Sequence, residues 1–586
     1  MTSKHVFVDN NKSIKLFVPG RLCLIGEHSD WAGLYRTINS SIVPGQAIVT
    51  GIEQGIYATV EKNEKFIVES NLKAFKNSSF ECEMDTEKLK QTAAEGGFFS
   101  YVAGVASYVN EYYKVKGVRI KVTKMDLPIK SGLSSSAAIC VLVARAFNVL
   151  YNLHCNTMGE MFIAYYGEQR TPSRCGRLDQ ACAYGVKPVS MFFDGNEISV
   201  RPIKIKKPLY FVISDLNSHK DTVKILADLN KCYPFAESDT EKKTQQALGE
   251  DNKNFIDTAV KYLEDGENEK YGELMVQYQK NFDKKVAPSC PSELKSPVLH
   301  SLLQDKNLLP LIYGSKGVGS QGDGTIQFLA KDEECQKKII EYLKKEKGLN
   351  GFPLTLKPQK KITKAIIPVA GFGTRLFPVT KCLKKDFFPV MDKDGILKPV
   401  LLILLEQLVN AGIEKICLVI GEEEQPLYEA FFGELSKEHY EKLPEEKKKY
   451  EDLLESLSNK VTYVYQKERK GFGHAVYQCK NFTNDEPVLL LLGDMIYHSN
   501  IDKNCMEQMI DAYEQTSLSV VSMHTVPKKD VVHYGIMTGR WENTKQNLLK
   551  ITEMCEKPAV EYAEDYLAVK QKHATKTIMQ YSVSMF

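Results

Sequence analysis

Between Pro19 and Gly33 the sequence PGRLCLIGEHSDWAG places Arg21, Glu27, His28 and Asp30 around one turn, with Trp31 beside them. Carboxylates and an imidazole next to an aromatic ring suit hydrogen bonding to sugar hydroxyls and stacking on a ring; the same residues also make a surface turn with ordinary ion pairs. Pro128–Ala138, PIKSGLSSSAA, sets Gly132, Ser134, Ser135 and Ser136 directly before an apolar run. At a helix start the first amides are unpaired and the dipole favours an anion, and the hydroxyls can reach a phosphate-bound magnesium ion. A Ser-rich N-cap without a ligand uses the same pattern. Gly314–Gly324, GSKGVGSQGDG, contains a formal GxGxxG at Gly317, Gly319 and Gly322, but TIQFLA, a strand, follows where a dinucleotide fingerprint requires a helix. This loop is read instead as packing closely against the serine segment. Far downstream, AIIPVAGFGTRLFPVTKCLKKDFFP ends a strand at Ala370. Gly371 and Gly373 then let backbone amides approach phosphate, and Arg375 and Lys385 supply two cations that neutralise a triphosphate. A Rossmann cofactor loop is disfavoured there, because no third glycine occurs and Pro378 would sit inside the expected helix.

The elements that must position these segments differ between the two parts of the chain. From Ile14 to Ala58 the pattern is strand-like, Ala137–Leu150 reads as a long apolar helix, and Phe211–Ser214 as a strand. Thr240–Lys280 is charged and helix-rich, Leu309–Ala330 returns to Gly-punctuated strands, and Glu333–Lys347 is a helix. The Gly/Pro/Lys-rich stretch around Gly348–Thr363 has no periodicity and predicts a linker at 351–363. After it come β-α alternations: KAIIPVA, the helix PVLLILLEQLVNAG, then KICLVIG, VTYVY and PVLLLLGDM. Strands separated by such helices predict a doubly wound, mainly parallel sheet. Glu434–Lys460, rich in Lys and Glu, reads as a solvated helical excursion, and no internal repeat is found.

Composition bounds the function classes. At 586 residues the chain holds three or four structural units by ordinary domain size, and 43% hydrophobic with 26% charged residues excludes wholesale disorder. A net charge of +3 from 77 basic and 74 acidic residues leaves no electrostatic footprint for nucleic acid or an anionic membrane. The longest apolar runs, such as Pro399–Leu405, fall far short of the roughly 18 residues a membrane span needs. The N-terminus has no apolar h-region of a secretory signal, and fourteen cysteines without a CxxC pair predict free thiols in a reducing cytoplasm.

The three N-terminal segments, in this order and spacing, resemble the GHMP kinases and within them the galactokinase-like sugar-1-kinases. The resemblance covers roughly Lys15–Leu349 and extends to GEQRTPSRCGRLDQACAYG, with Glu168 and Asp179. It implies a two-lobed kinase over 1–350, with lobes at about 1–195 and 196–350. It further implies that Ser134–Ser136 and Glu168 hold Mg-ATP, with Ser135 and Glu168 on the metal and Gly132, Gly317 and Gly319 around the nucleotide. Asp179 would face the anomeric hydroxyl, and Arg21 the transferring phosphoryl group. Cys23, Trp31 and Leu34 depart from the family's Asn, Tyr and Gly. The sugar is therefore left open among galactose, arabinose, a uronic acid and other aldoses.

Ala365–Pro389 is similar to the sugar-phosphate nucleotidylyltransferase signature GxGTRLxPxTxxxPKxxxP, and especially to that of UTP-glucose-1-phosphate uridylyltransferases. The motifs QKERKGFGHAV, LLLLGDM, Tyr534–Gly535 and Glu556–Lys557–Pro558 follow in the family's order. The resemblance implies a doubly wound transferase domain at 364–586. Gly371, Gly373, Thr374, Gln466, Gly471 and Gly473 would hold UTP. Asp494 would hold Mg2+, Arg375 and Lys385 would act on the phosphates, and Tyr534, Gly535, Glu556 and Lys557 would contact the sugar phosphate. Lys384 stands where the family has Pro. The chain stops in SVSMF, a strand, before the position of the family's second magnesium-binding Asp, so this domain is expected to be incomplete. The combined expectation is a bifunctional α/β and α+β enzyme with ATP, UTP and Mg2+. It would make a sugar-1-phosphate, then a UDP-sugar and pyrophosphate. The alternatives are an active kinase with a non-catalytic nucleotide-binding domain, and a guanylyl-transferring fucose-type salvage enzyme.

Overall fold

The computed structural model describes residues 7–8, 13–70, 79–127, 133–173, 175–218, 220–468, 470–484, 486–516, 518–541, 547–573 and 576–584. The chain divides into two compact units, Met1–Pro358 and Gln359–Phe586. Helices and strands are both abundant in each.

In the first unit, Ile14–Ile25 pairs antiparallel with Gly45–Lys62, which in turn pairs with Val118–Met125. Val189–Asp194 and Glu197–Pro202 extend the same eight-stranded sheet from the Gly45 end. The first sheet therefore runs to Pro202. The helix Ser135–Tyr151 is apolar nearly all round because it is a core helix: eleven of its side chains, from Ala137 to Leu150, are buried. Each large aliphatic or aromatic side chain there contributes up to roughly 1.5–3 kcal/mol. Asn152 ends the helix in the left-handed region, which Asn tolerates better than most residues. A second sheet orders Ile312–Gly317, Thr325–Ala330, Leu209–Asp215 and Gly351–Leu356, all antiparallel. Gly351–Leu356 corrects the linker reading. It is an edge strand that buries Leu354 and Leu356, and Pro353 is tolerated in it because an edge strand has an unpaired side.

The second unit is built on a parallel four-stranded sheet in the order Val461–Tyr465, Lys415–Ile420, Lys364–Pro368, Val488–Leu490. Alternation splits the first strand between two faces. Ala365 and Ile367 pack with Leu401, Leu404 and Leu408 of helix Val400–Asn410, while Ile366 packs with Ala475 and Cys479 on the other side. The strand order reverses beside Lys364–Pro368, and in such sheets ligands bind outside the carboxyl ends at that point. The doubly wound expectation holds for this sheet alone. Met523–Val526, Gly535–Trp541, Leu549–Glu556, Val569–His573 and Lys576–Ser584 form a separate antiparallel sheet.

Candidate functional sites

In the first unit, strand Ile14–Ile25 delivers Arg21 to Asp179, which opens the 3-10 turn Asp179–Tyr184. Ser134, in the left-handed region just before the long helix, donates its Oγ to Asp179 Oδ1 at 2.6 Å. It does not cap the helix, so the plain N-cap reading fails for this serine. Arg21 is buried, and its Nε and Nη1 have no hydrogen-bond partner among the described residues. A buried guanidinium with donors to spare is fitted to an incoming anion.

Glu168 ends helix Thr157–Glu168 and is fully buried. Gln180 Nε2 donates to its Oε2 at 2.9 Å. Burial raises its pKa, and the neighbouring Ser136, Cys175, Gln180 and Cys140 oppose that rise. The serine facing Glu168 is thus Ser136, whereas the family pattern pointed to Ser135. The Glu168 carboxylate and the Ser136 hydroxyl are oxygen donors of the kind that suits Mg2+, with the thiols of Cys175 and Cys140 also against the carboxylate. Among the described residues no group of three or more His, Cys, Asp and Glu side chains could hold a metal alone. Gly132 lies outside the described residues.

The three remaining sugar candidates have protein partners. Glu27 forms a buried ion pair with Lys316, and Asp30 Oδ2 accepts the Leu178 amide at 3.1 Å, which fixes the turn leading into Asp179. Trp31 Nε1 donates to His28 Nδ1 at 3.2 Å, and burial lowers the His28 pKa, so the imidazole is neutral near pH 7. The Gly-rich segment is a hairpin between the strands Ile312–Gly317 and Thr325–Ala330. The Gly317 amide donates to Gln279 Oε1 at 2.8 Å, and its carbonyl accepts from Lys316 at 2.7 Å, so both its backbone groups are used inside the protein. Gly319 sits at φ 70° in that hairpin.

Two lysines escaped sequence reasoning. Lys316 lies between glycines of the hairpin. Lys220 donates to the Gln321 carbonyl at 3.1 Å, and a Cβ on Gly324 would fall 2.3 Å from its Nζ. Burial pulls the Lys220 pKa down to about 8, helped by the charge of Arg21 and opposed by Asp215. The pairing of Gly322 and Gly324, which leaves room for that side chain, was the available signal.

In the second unit, Gly371 and Gly373 follow the strand Lys364–Pro368, and Gly373 is left-handed at φ 66°. Lys385 Nζ donates to Asp494 Oδ2 at 2.8 Å, joining the loop after that strand to the loop after Val488–Leu490. Thr374 and Arg375 lie in the exposed turn Thr374–Leu376. Among the described residues Arg375 has no hydrogen-bond or ion-pair partner. Beyond strand Val461–Tyr465, Gln466 Nε2 donates to the Gly471 carbonyl at 3.1 Å and meets His474 Nδ1 at 3.3 Å. Gly473 lies inside helix Phe472–Gln478. Tyr465, Lys467, Glu468, His474 and Gln478 line a cavity of about 370 Å³ beside it. On the antiparallel sheet, Gly535 pairs in register with Glu556, and the Lys557 amide donates to the Tyr534 carbonyl at 2.9 Å. The structure thus brings the Tyr534–Gly535 and Glu556–Lys557 motifs together.

Both sites assemble a cation and a carboxylate at glycine- or serine-rich turns, the construction of phosphate-handling enzymes. Residues 364–577 match the family described as Nucleotidyl transferase, and residues 100–186 match the GHMP kinases N terminal domain. A UTP–glucose-1-phosphate uridylyltransferase 2 of Staphylococcus saprophyticus is 36% identical over 229 residues, covering 38% of this chain and 74% of that protein. The UTP–glucose-1-phosphate uridylyltransferase of Staphylococcus epidermidis is 35% identical over 229 residues, 38% of this chain and 75% of that protein. Among solved structures, Lactococcus lactis galactokinase complexed with galactose aligns with a TM-score of 0.47 and 19% identity, over 60% of this chain and 95% of that one. The chain belongs to the nucleotidyl transferase family, joined in one polypeptide to a GHMP kinase segment. Among the described residues, no helix is long and apolar enough to cross a membrane.

Proposed function

We propose that the first unit phosphorylates a monosaccharide at its anomeric hydroxyl, using ATP. The observation that carries this reading is the contact of Asp179 with both Arg21 and Ser134. The Asp179 carboxylate accepts the O1 proton, O1 attacks the γ-phosphorus, and the bond to the β-phosphate oxygen breaks to release ADP. The free donors of Arg21 and the ammonium of Lys220 offset the charge that develops on the transferring group. Ser136 and Glu168 would hold Mg2+, which supplies further charge neutralisation when bound.

The second unit, on the same proposal, transfers a uridylyl group from UTP to a sugar-1-phosphate. A phosphate oxygen of the sugar-1-phosphate attacks the α-phosphorus, and pyrophosphate leaves. The Lys385–Asp494 contact at the strand ends carries this reading, and the names of the Staphylococcus relatives favour UTP. Arg375, Lys385 and the Gly371–Gly373 turn would bind the triphosphate, with Asp494 the residue that would hold Mg2+. The product of one half is then the substrate class of the other.

Incubating the full chain with ATP, UTP, Mg2+ and a pool of aldoses and uronic acids, followed by mass spectrometry, tests both halves. A UDP-sugar is the expected product. A sugar-1-phosphate alone would restrict the proposal to the first unit, and a product formed only with GTP would replace uridylyl by guanylyl transfer.

A further inference from the structure

Lys384 departs from the signature's proline, yet its backbone keeps a proline's geometry, with φ −65° and ψ 148°. Among the described residues its amide N–H donates no hydrogen bond, so a ring could stand there without losing one. Its side chain is fastened at three points. Nζ pairs with Glu424 Oε2 at 2.6 Å, donates to the Val369 carbonyl at 3.0 Å and lies 5.4 Å from the centre of the Tyr428 ring. Val369 follows strand Lys364–Pro368, Glu424 closes the turn after Lys415–Ile420, and Tyr428 belongs to helix Gln425–Phe432. One ammonium therefore ties three elements to the residue immediately before Lys385. Both Lys384 and Glu424 side chains are only 16% exposed, so water competes weakly for the pair. On the other side of Lys385, buried Asp386 accepts the Tyr428 hydroxyl at 2.6 Å. Lys385 itself is left pointing at Asp494.

We propose that Lys384 is a positioning residue whose side-chain clamp on Glu424, Val369 and Tyr428 replaces the covalent constraint of a proline and aims Lys385 at the nucleotide phosphates. This inference rests on the nucleotidyl-transfer reading of the second unit. It differs from a merely structural ion pair because it makes proline, a residue with no charge, the substitution that rescues.

The test compares Lys384→Ala, Glu424→Gln, their double mutant and Lys384→Pro in the full chain. Two readouts are used: pyrophosphate release from UTP with a sugar-1-phosphate, and amide hydrogen exchange of residues 385–388 without substrate. Lys384→Ala and Glu424→Gln should each lower kcat about tenfold, with a smaller change in KM for UTP, since a misaimed group costs rate before it costs binding. The double mutant should be no slower than Lys384→Ala, because Glu424 acts on the loop through the ammonium that this variant has already removed. Lys384→Pro should recover most of the rate and the slow exchange of the segment. A proline variant as slow and as fast-exchanging as the alanine variant, or fully additive single effects, would overturn the proposal. If the wild-type chain releases no pyrophosphate, the transfer reading fails, and the exchange comparison still decides whether the clamp fixes the loop.

Discussion

The two candidate sites use the same parts and differ in how much water reaches them. The Arg21 and Asp179 side chains are 6% and 24% exposed, whereas those of Lys385 and Asp494 are 16% and 44%. The first site sits between a sheet and a core helix. Burial there lowers the His28 pKa, raises that of Glu168 and brings Lys220 to about 8. The second lies on loops at the ends of parallel strands, with Arg375 in solvent. Charges act strongly where water is excluded, and are screened by salt where it is not. The first unit should therefore report its electrostatics through pH, and the second through ionic strength.

The sharpest break of that contrast is Asp179→Asn. It keeps the shape of the side chain and removes the acceptor for the O1 proton. Sugar-dependent ATP consumption should fall by about 10²–10⁴-fold while ATP binding is retained. Undiminished turnover would remove Asp179 from the chemistry. In the exposed site the corresponding change is smaller. Arg375→Ala loses charge-assisted hydrogen bonds worth about 1.5–3 kcal/mol, or roughly 10–100-fold in UTP affinity. Calorimetry at low and high salt should show the wild-type advantage shrinking as salt rises. An advantage independent of salt would mean that the site closes over the nucleotide.

Lys220 tests the pH half of the comparison. Its ammonium faces Arg21, His28 and Asp215, with Asp179 held by Arg21 beyond. The protonated form is the one that neutralises phosphate, and its folded pKa lies below that of a free lysine. The part of kinase activity that depends on Lys220 should therefore be full well below pH 8 and fall as pH rises through about 8. Lys220→Arg should push that alkaline limb out of the accessible range, and Lys220→Met should lower kcat about tenfold at pH 7. Glu168 sets the opposite limb. Its pKa is raised by burial, so activity that needs its ionised form should fail on acidification earlier than an exposed glutamate would dictate. An alkaline limb that persists in Lys220→Arg would assign it to another group.

The sequence named several residues that the structure brings together, Arg21 and Ser134 on Asp179 and Lys385 on Asp494, because glycine, serine and charge spacings stand out in sequence. The order of Arg21, the serine segment, Glu168 and Asp179 needed no contact information. The core helix at 135–151 and the strand at 364–368 announced themselves through apolar stretches, AAICVLVA and AII. What was missed is of another kind. Gly351–Leu356 looks like linker because an edge strand needs apolar residues on one face only and tolerates Pro353. The antiparallel sheet that carries Gly535 and Glu556 depends on non-local pairings, Met523–Val526 with Lys576–Ser584 among them. Lys220 belongs to no motif, Lys316 lies unremarked inside the Gly-rich segment, and Lys384 stands out only as a departure from the signature's proline. Each acquires its role from burial or from a partner distant in sequence, and pattern does not encode that.

The smallest expected effect concerns the aromatic that replaces the family's tyrosine. An indole nitrogen can only donate a hydrogen bond, so Trp31 Nε1 obliges His28 Nδ1 to accept. Burial keeps the ring neutral, and its one proton therefore resides on Nε2, next to the Gly-rich hairpin. Trp31→Phe removes the donor and keeps an aromatic face toward Tyr233, with which Trp31 makes an edge contact at 5.4 Å. The loss is one neutral hydrogen bond, about 1 kcal/mol, which corresponds to roughly fivefold in KM for the sugar with kcat little changed. Imidazole nitrogen NMR separates this cause from simple loss of packing. The wild type should show a single neutral tautomer protonated at Nε2, and Trp31→Phe a mixture. If the variant keeps the pure Nε2 tautomer, the hairpin alone sets the proton, and Trp31 acts on the sugar only through its ring.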